Sequence, residues 1–339
     1  MDFSYRSRVH ASAPGKAIIF GEHFVVYNNK AIVAAINRRC IGIAKFTSNP
    51  GVQIVPDLEM DHNLLTMQRT AKTNKRRPNK EMLEPLKNFC HNILKEHAQA
   101  SGLLIHIKSE LPIGVGLGSS AALSVMLAGI MRSIIRRTTN YELSSYDRKW
   151  VFENALGVEQ EFHNKSSGVD CYVSTYGGLV HFRGLTGSAK ATSIKIDSLP
   201  LFLINTRKGH ETSKLVSRVR SLSRNRSDYF NRLASDASAI CASGVRALTK
   251  GSLEEVGRLM TENHKLLRDI GVSNKEIEKV IGVCVRSGSL GAKITGAGGG
   301  GCILVLARPD VTPALSARLK VLNLRLEKID VTNNGLIVD

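Results

Sequence analysis

Between Glu110 and Ala122 the chain reads ELPIGVGLGSSAA, and no other stretch limits the fold so strongly. Gly114, Gly116 and Gly118 carry no Cβ, so the backbone there can turn tightly and approach a large anion closely. Leu103 to Ile107, just before, alternates in polarity like a strand, and the Ala-, Leu-, Val- and Met-rich run to about Ile135 reads as a helix. A strand feeding a glycine loop and then a helix brings free amides and the positive helix end to one place. With the hydroxyls of Ser119 and Ser120 added, that is a cradle for phosphate oxygens. Its expected extent includes Pro112, Leu117 and Ala121. It is not a Walker A loop, because GxxxxGK[ST] is absent, nor does it have the spacing of a dinucleotide fingerprint.

The remaining sequence alternates strand and helix signals. Residues 8–20 read as extended and broken at Pro14-Gly15; Ala31 to Asn37, Cys40 to Phe46 and Val52 to Val55 read as further strands. A polar, basic section at 66–80 precedes a helix expected from about Leu86, after Pro85, to Ala98. Another helix is expected from Ser144 to near Glu161, then a strand from Leu179 to Phe182. Residues 184–193 are rich in Gly, Ser and Thr and lose apolar periodicity, which sets the expected domains at 1–185 and 186–339. The second half opens with a strand at Leu201 to Asn205, followed by helices near 212–222, 228–248, 252–268 and 274–286. A glycine-rich turn, a strand at Cys302 to Ala307, a helix near 312–319 and a strand near 323–329 complete it.

With 339 residues, 42% hydrophobic and 22% charged, the chain has material for two cores and lacks the charge excess of a disordered one. Its formal net charge of +18 draws anions without naming them. The densest basic patches, Arg69 to Lys80 and Arg218 to Arg232, have no interleaved aromatics, so no specific nucleic-acid partner is expected. Six scattered cysteines without a CxxC pair suggest neither disulfides nor a thiolate zinc site. The N-terminus lacks an apolar signal region, and no stretch of about 18 uncharged apolar residues is present. A cytoplasmic location without a membrane partner is expected.

Three separated motifs, in order, resemble those of the galactokinase, homoserine kinase, mevalonate kinase and phosphomevalonate kinase superfamily. They are SAPGKAIIFGEHFVVYNNKAIVAAIN (Ser12 to Asn37), the glycine loop, and KITGAGGGGC (Lys293 to Cys302). GEHFVVY is similar to the GEHxVVYG of the mevalonate kinase branch, where galactokinases usually read GEHTDY. EFHNKSSGVDCYVSTYGG (Glu161 to Gly178) and NTRKGHET (Asn205 to Thr212) resemble that branch as well. Asn28 replaces its usual Gly after VVY, and Asn164 and Ser166 stand where HGNPSGVD has Gly and Pro.

The resemblance implies a two-domain α+β small-molecule kinase fold, ribosomal-protein-S5-like at the N-terminal end and ferredoxin-like at the C-terminal end. It implies ATP and Mg²⁺ as cofactors, mevalonate as phosphoryl acceptor at its 5-hydroxyl, and a homodimer. Asp170 then faces the acceptor hydroxyl as base or electrostatic orienter, beside Lys16. Ser120 and Glu159 are the implied magnesium residues, although Glu153 and Glu161 share the same expected helix and the pattern alone does not choose among them. Glu22, His23, His163, Thr206, Gly296 and Ala297 are implied around the substrate, with Thr212 a further candidate; Glu22 and His23 could instead support the active site, and His163 could cap local structure. Two rival readings stay open: another kinase of the superfamily, including one acting at the 3-hydroxyl of mevalonate, and a nucleic-acid-binding protein that keeps the fold.

Overall fold

The first long strand, β1 (Arg8–Phe20), alternates buried and exposed residues at its start and is buried on both faces from Ala13 onward. That change marks passage from a sheet covered on one side to one covered on both. The computed structural model describes residues 8–56, 80–97, 102–112, 114–138, 142–162, 166–183, 190–207 and 212–339.

β1 pairs antiparallel with β2 (Lys30–Thr47), whose far end pairs with β4 (Gly102–Ser109) and whose near end pairs with β5 (Leu179–Arg183). β3 (Gly51–Pro56) runs parallel to β4, which requires a crossover, and α1 (Lys80–His97) lies between them in sequence. β6 (Lys190–Ser193) adds to β5, and β11 (Ile337–Val338) returns from the chain's end to the free edge of β1. A second, antiparallel sheet has the order β10-β7-β9-β8, from β7 (Leu201–Asn205), β8 (Gly291–Thr295), β9 (Cys302–Leu306) and β10 (Glu327–Ile329). The apolar core runs without a break from the first sheet to the second.

α2 (Ser119–Arg136) is the central core helix. By length and apolar composition it could cross a membrane, yet it is buried from Ala121 to Ile134 within the fold. Its single buried charge, Arg132, meets Asp147 at 2.8 Å and lies over the Tyr146 and Trp150 rings. Asp147 also closes a capping box with Ser144, each backbone amide bonding the other's side-chain oxygen at 3.1 Å, so α3 (Ser145–Phe162) starts where α2 is anchored.

Several boundaries differ from the sequence-based expectation. α1 begins at Lys80 rather than after Pro85, and the proline sits inside it, forgoing one helical hydrogen bond. Val169–Tyr176 forms a short helix, α4, that has too few residues to display a helical period. β8 has no strand signal in the sequence because GAKIT has a lysine at the centre of a wholly buried strand. β6 lies in the section that loses apolar periodicity, and β6 and β11, both beyond residue 185, belong to the first sheet. Helices α5 (Thr212–Asn225), α6 (Ser227–Thr249), α7 (Leu253–Asp269), α8 (Lys275–Arg286) and α9 (Thr312–Val321) fall close to their expected positions.

Candidate active site

The glycine loop joins β4 to α2, and Gly114, Gly116 and Gly118 have φ of 72°, 88° and 71°, in the left-handed region. Two of them are also places of close approach. A Cβ on Gly116 would lie 2.6 Å from the Thr295 carbonyl, and one on Gly118 would lie 2.8 Å from Cγ of Lys16. The loop is thus pressed between Lys16 and the glycine turn at 296–301, and the Cys302 amide, just after that turn, donates to the loop's Val115 carbonyl at 3.1 Å. Gly118 caps α2 with no side-chain hydrogen bond, and the bond from Ala122 N–H to Gly118 at 2.9 Å is the helix's first. The amides of Ser119, Ser120 and Ala121 therefore lie in the turn whose donors a helix leaves free, at its positive end. Ser120 is exposed and Ser119 and Pro112 half-buried, whereas Leu117 and Ala121 are buried and can offer a ligand only backbone.

Lys16, on β1 and only 3% exposed, places Nζ 3.3 Å from the Asp170 carboxylate, which is 34% exposed. Asp170 sits in the first turn of α4 behind Gly168 (φ 75°), where the helix end favours its negative charge. Ser174 Oγ donates to the Pro14 carbonyl at 2.8 Å and so ties α4 to β1 two residues before Lys16. Glu159 of α3 is buried beside them and accepts from Ser120 Oγ at 3.2 Å and Ser124 Oγ at 3.3 Å. Burial first, then the neighbouring Asp170, pushes its carboxyl up to about 7, with the two serines and Lys16 opposing. Two carboxylates thus share one lysine. Glu153, by contrast, is paired loosely with Lys149 at 3.9 Å on the exposed side of the same helix, and Glu161 is exposed.

His23 lies across the loop, at φ 61°, with Nε2 3.0 Å from the Ala297 carbonyl. Burial lowers its pKa to about 4, with Lys16 adding in the same sense. The ring is then neutral near pH 7, and because a carbonyl can only accept, Nε2 carries the proton and Nδ1 is an acceptor. Thr206 donates to the Gly301 carbonyl at 2.9 Å, and Gly296 touches Gly116, so both meet the glycine turn. Of the two places expected for Glu22, in the substrate pocket or supporting the site, its contacts match the second. It is 0% exposed and sits behind the cleft, with one oxygen on Lys293 Nζ and the other accepting from Asn263 Nδ2 at 3.0 Å. His163 and the Thr212 side chain lie outside the described residues, as do Asn164 and the basic patch before α1. Asn28 has φ 60°, a left-handed conformation that Asn tolerates, which accounts for its replacing Gly there. Ser166, in the place of a Pro, accepts from the Gly168 amide at 3.2 Å.

Sequence reasoning missed Ser124, Asn263, Lys293 and Thr295. Lys293 and Thr295 stand within the third motif, whose glycines carry its stronger sequence signal. Thr295 Oγ1 accepts from the Ile18 amide at 3.1 Å and Lys293 donates to the Ile18 carbonyl at 3.2 Å, so β8 is fastened to β1. Asn263 had no signal beyond being polar on the buried side of an amphipathic helix.

Residues 85–178 match the family model for the GHMP kinases N terminal domain and residues 245–320 that for the GHMP kinases C terminal domain. The mevalonate kinase of Methanothermobacter thermautotrophicus is 33% identical over 92% of this chain and 95% of its own. The chain belongs to the GHMP kinase family. Within it, the Archaeoglobus fulgidus mevalonate kinase is 34% identical over 88% of this chain and 93% of its own. L. major mevalonate kinase, solved in complex with R-mevalonate, superposes with a TM-score of 0.76 at 27% identity, covering 95% of each chain. Lactococcus lactis galactokinase has the same fold at 17% identity, with a TM-score of 0.76 over 98% of this chain and 96% of its own. GHMP kinases use ATP, and the α+β architecture of two sheets is theirs.

Proposed function

We propose that the protein transfers the γ-phosphoryl group of ATP to the 5-hydroxyl of mevalonate, giving 5-phosphomevalonate and ADP. The observation that carries this reading is the Lys16–Asp170 pair, buried at its cationic end, open at its anionic end and beside the uncapped start of α2. Its choice of acceptor is supported by the mevalonate kinases to which the chain is similar from end to end.

In this reading the loop amides and the first turn of α2 hold phosphate oxygens, and Asp170 orients the acceptor hydroxyl and takes up or shares its proton. The acceptor oxygen forms its bond to the γ-phosphorus as the bond to the β–γ bridging oxygen breaks, and ADP leaves. Lys16 keeps Asp170 ionised and offsets charge on the transferred group. The halves 1–185 and 186–339 contribute the two walls of the cleft, and a cytoplasmic homodimer belongs to the same proposal.

Among the described residues no group of three or more His, Cys, Asp or Glu is gathered to hold a metal. The oxygens of Ser120 and Glu159 nevertheless suit Mg²⁺, which prefers hard ligands, keeps waters and leans on phosphate. Glu159 in particular is a buried carboxylate that burial and the neighbouring Asp170 hold toward its neutral form, so a cation beside it would favour its charged form. Ser120 and Glu159 would hold the ion, and its charge would offset that of the ATP phosphates.

A pH prediction follows from Glu159. Its folded pKa of about 7 exceeds the ordinary 4.5, so the folded protein holds a proton that the unfolded chain releases. Stability of the metal-free protein therefore falls as pH rises between those values, by up to about 1.4 kcal/mol per unit. Thermal melts should show this decline, Mg²⁺ should raise the midpoint more at pH 7.5 than at 5.5, and Glu159→Gln should flatten both trends. An unchanged magnesium response in that variant would move the site to another carboxylate.

The acceptor is tested by ADP release over a panel of alcohols, with ³¹P and ¹³C spectra of the product. Mevalonate-dependent turnover to the 5-phosphate is expected. A 3-phosphate, or preference for a sugar or amino-acid alcohol, would replace the proposal with a different kinase of the family.

A further inference from the structure

The turn Gly21-Glu22-His23 departs sharply from ordinary backbone. Gly21 has φ 95°, and a Cβ there would come within 2.3 Å of the Lys30 carbonyl; His23 has φ 61° and ψ −46°, a region a histidine enters only when its surroundings impose it. What imposes it comes from 242 residues further along the chain. Asn263 of α7 is 0% exposed, and its Oδ1 accepts from the Gly21 amide at 3.3 Å while its Nδ2 donates to Glu22 at 3.0 Å. Both ends of one side-chain amide are spent on the two residues before His23. Lys293 completes the arrangement, bonding Glu22, Ile18 and Ile294, so the buried network is satisfied throughout. On the far side of the turn the His23 ring is fixed by the Ala297 carbonyl.

We propose that Asn263 is a positioning residue for the acceptor side of the cleft: it holds this turn so that His23 presents Nδ1, as a hydrogen-bond acceptor, to a hydroxyl of the substrate. The chemistry is specific. A ring whose Nε2–H is given to a carbonyl can accept from an alcohol but cannot donate to a carboxylate, so His23 reads a hydroxyl and not the acid end of the acceptor. This inference rests on the proposed acceptor being an alcohol bound beside His23, and Asn263 itself touches neither substrate nor reacting atoms.

The test uses the full chain with Asn263→Ala and Asn263→Asp, reading steady-state kinetics and imidazole ¹⁵N spectra. In wild type, His23 should show the Nε2–H tautomer across neutral pH. In Asn263→Ala the KM for mevalonate should rise about tenfold or more, because a displaced positioning group costs that much, while the KM for ATP stays within roughly twofold. The His23 tautomer signal should broaden or shift. Asn263→Asp keeps an acceptor for Gly21 but can donate to Glu22 only when protonated, so its effect on the mevalonate KM should fall between wild type and Asn263→Ala and lessen as pH falls. Should the alanine variant fail to fold, the aspartate variant carries the same readouts. Equal rises in both KM values, or an unaltered His23 spectrum in both variants, would overturn the proposal. Absence of any turnover with mevalonate in the wild type would instead strike the proposed function, and the spectra would still decide whether Asn263 sets the state of His23.

Discussion

Asp170→Asn is expected to lower kcat by about 10²–10⁴-fold, the range supplied by a positioned proton acceptor. The amide keeps the shape of the carboxylate and leaves an oxygen for Lys16, so the fold should persist and nucleotide affinity should change little. Asp170 is one-third exposed and held at 3.3 Å by a lysine that is almost wholly buried. That asymmetry makes it the charged group of the pair that a ligand can reach. Single-turnover and steady-state assays, with nucleotide binding measured separately, check the prediction; a variant with near-normal kcat would remove Asp170 from its assigned role.

Gly116→Ala should be the most damaging one-carbon change in the loop. The added Cβ would meet the Thr295 carbonyl at 2.6 Å and Gly296 Cα at 2.9 Å, both backbone, and φ is 88°. Neither obstacle can swing aside. Conformational strain of about 1–3 kcal/mol and overpacking of a similar size together suggest a loss of about 2–6 kcal/mol in stability. Because the collision forces the phosphate loop off the glycine turn, ATP binding should weaken with it. Gly51→Ala is the control: φ is 90°, but nothing lies within 4 Å, so only the strain remains. Thermal melts and nucleotide titrations of the two variants separate crowding from strain, and equal effects would show that the contact with 295–296 does not matter.

The features legible in the sequence were those in which one residue type has one physical use. Glycines at 114, 116 and 118 are readable because other residues rarely tolerate the positive φ that all three adopt, and at 116 and 118 the close approach adds a second demand. The helices with long amphipathic periods, such as α7 and α8, could be placed to within a few residues. Lys16, Asp170 and Glu159 do come together, but their convergence arises from β1, α4 and α3, and only the family resemblance suggested it in advance. Glu22 shows the opposite case. Its motif marks it as part of the site, whereas its actual partners, Lys293 and Asn263, lie 271 and 241 residues away, and no local pattern encodes such a pairing. β8 was hidden for a related reason: a lysine inside a buried strand argues against the strand until its distant glutamate is known.

The most direct measurement is a crystal structure of the protein with mevalonate, Mg²⁺ and a non-hydrolysable ATP analogue. The predicted result has terminal phosphate oxygens on the amides of Ser119 to Ala121 and the 5-hydroxyl about 3 Å from an Asp170 oxygen, in line with the γ-phosphorus. A triphosphate bound away from this helix start, or an acceptor hydroxyl out of reach of Asp170, would contradict it.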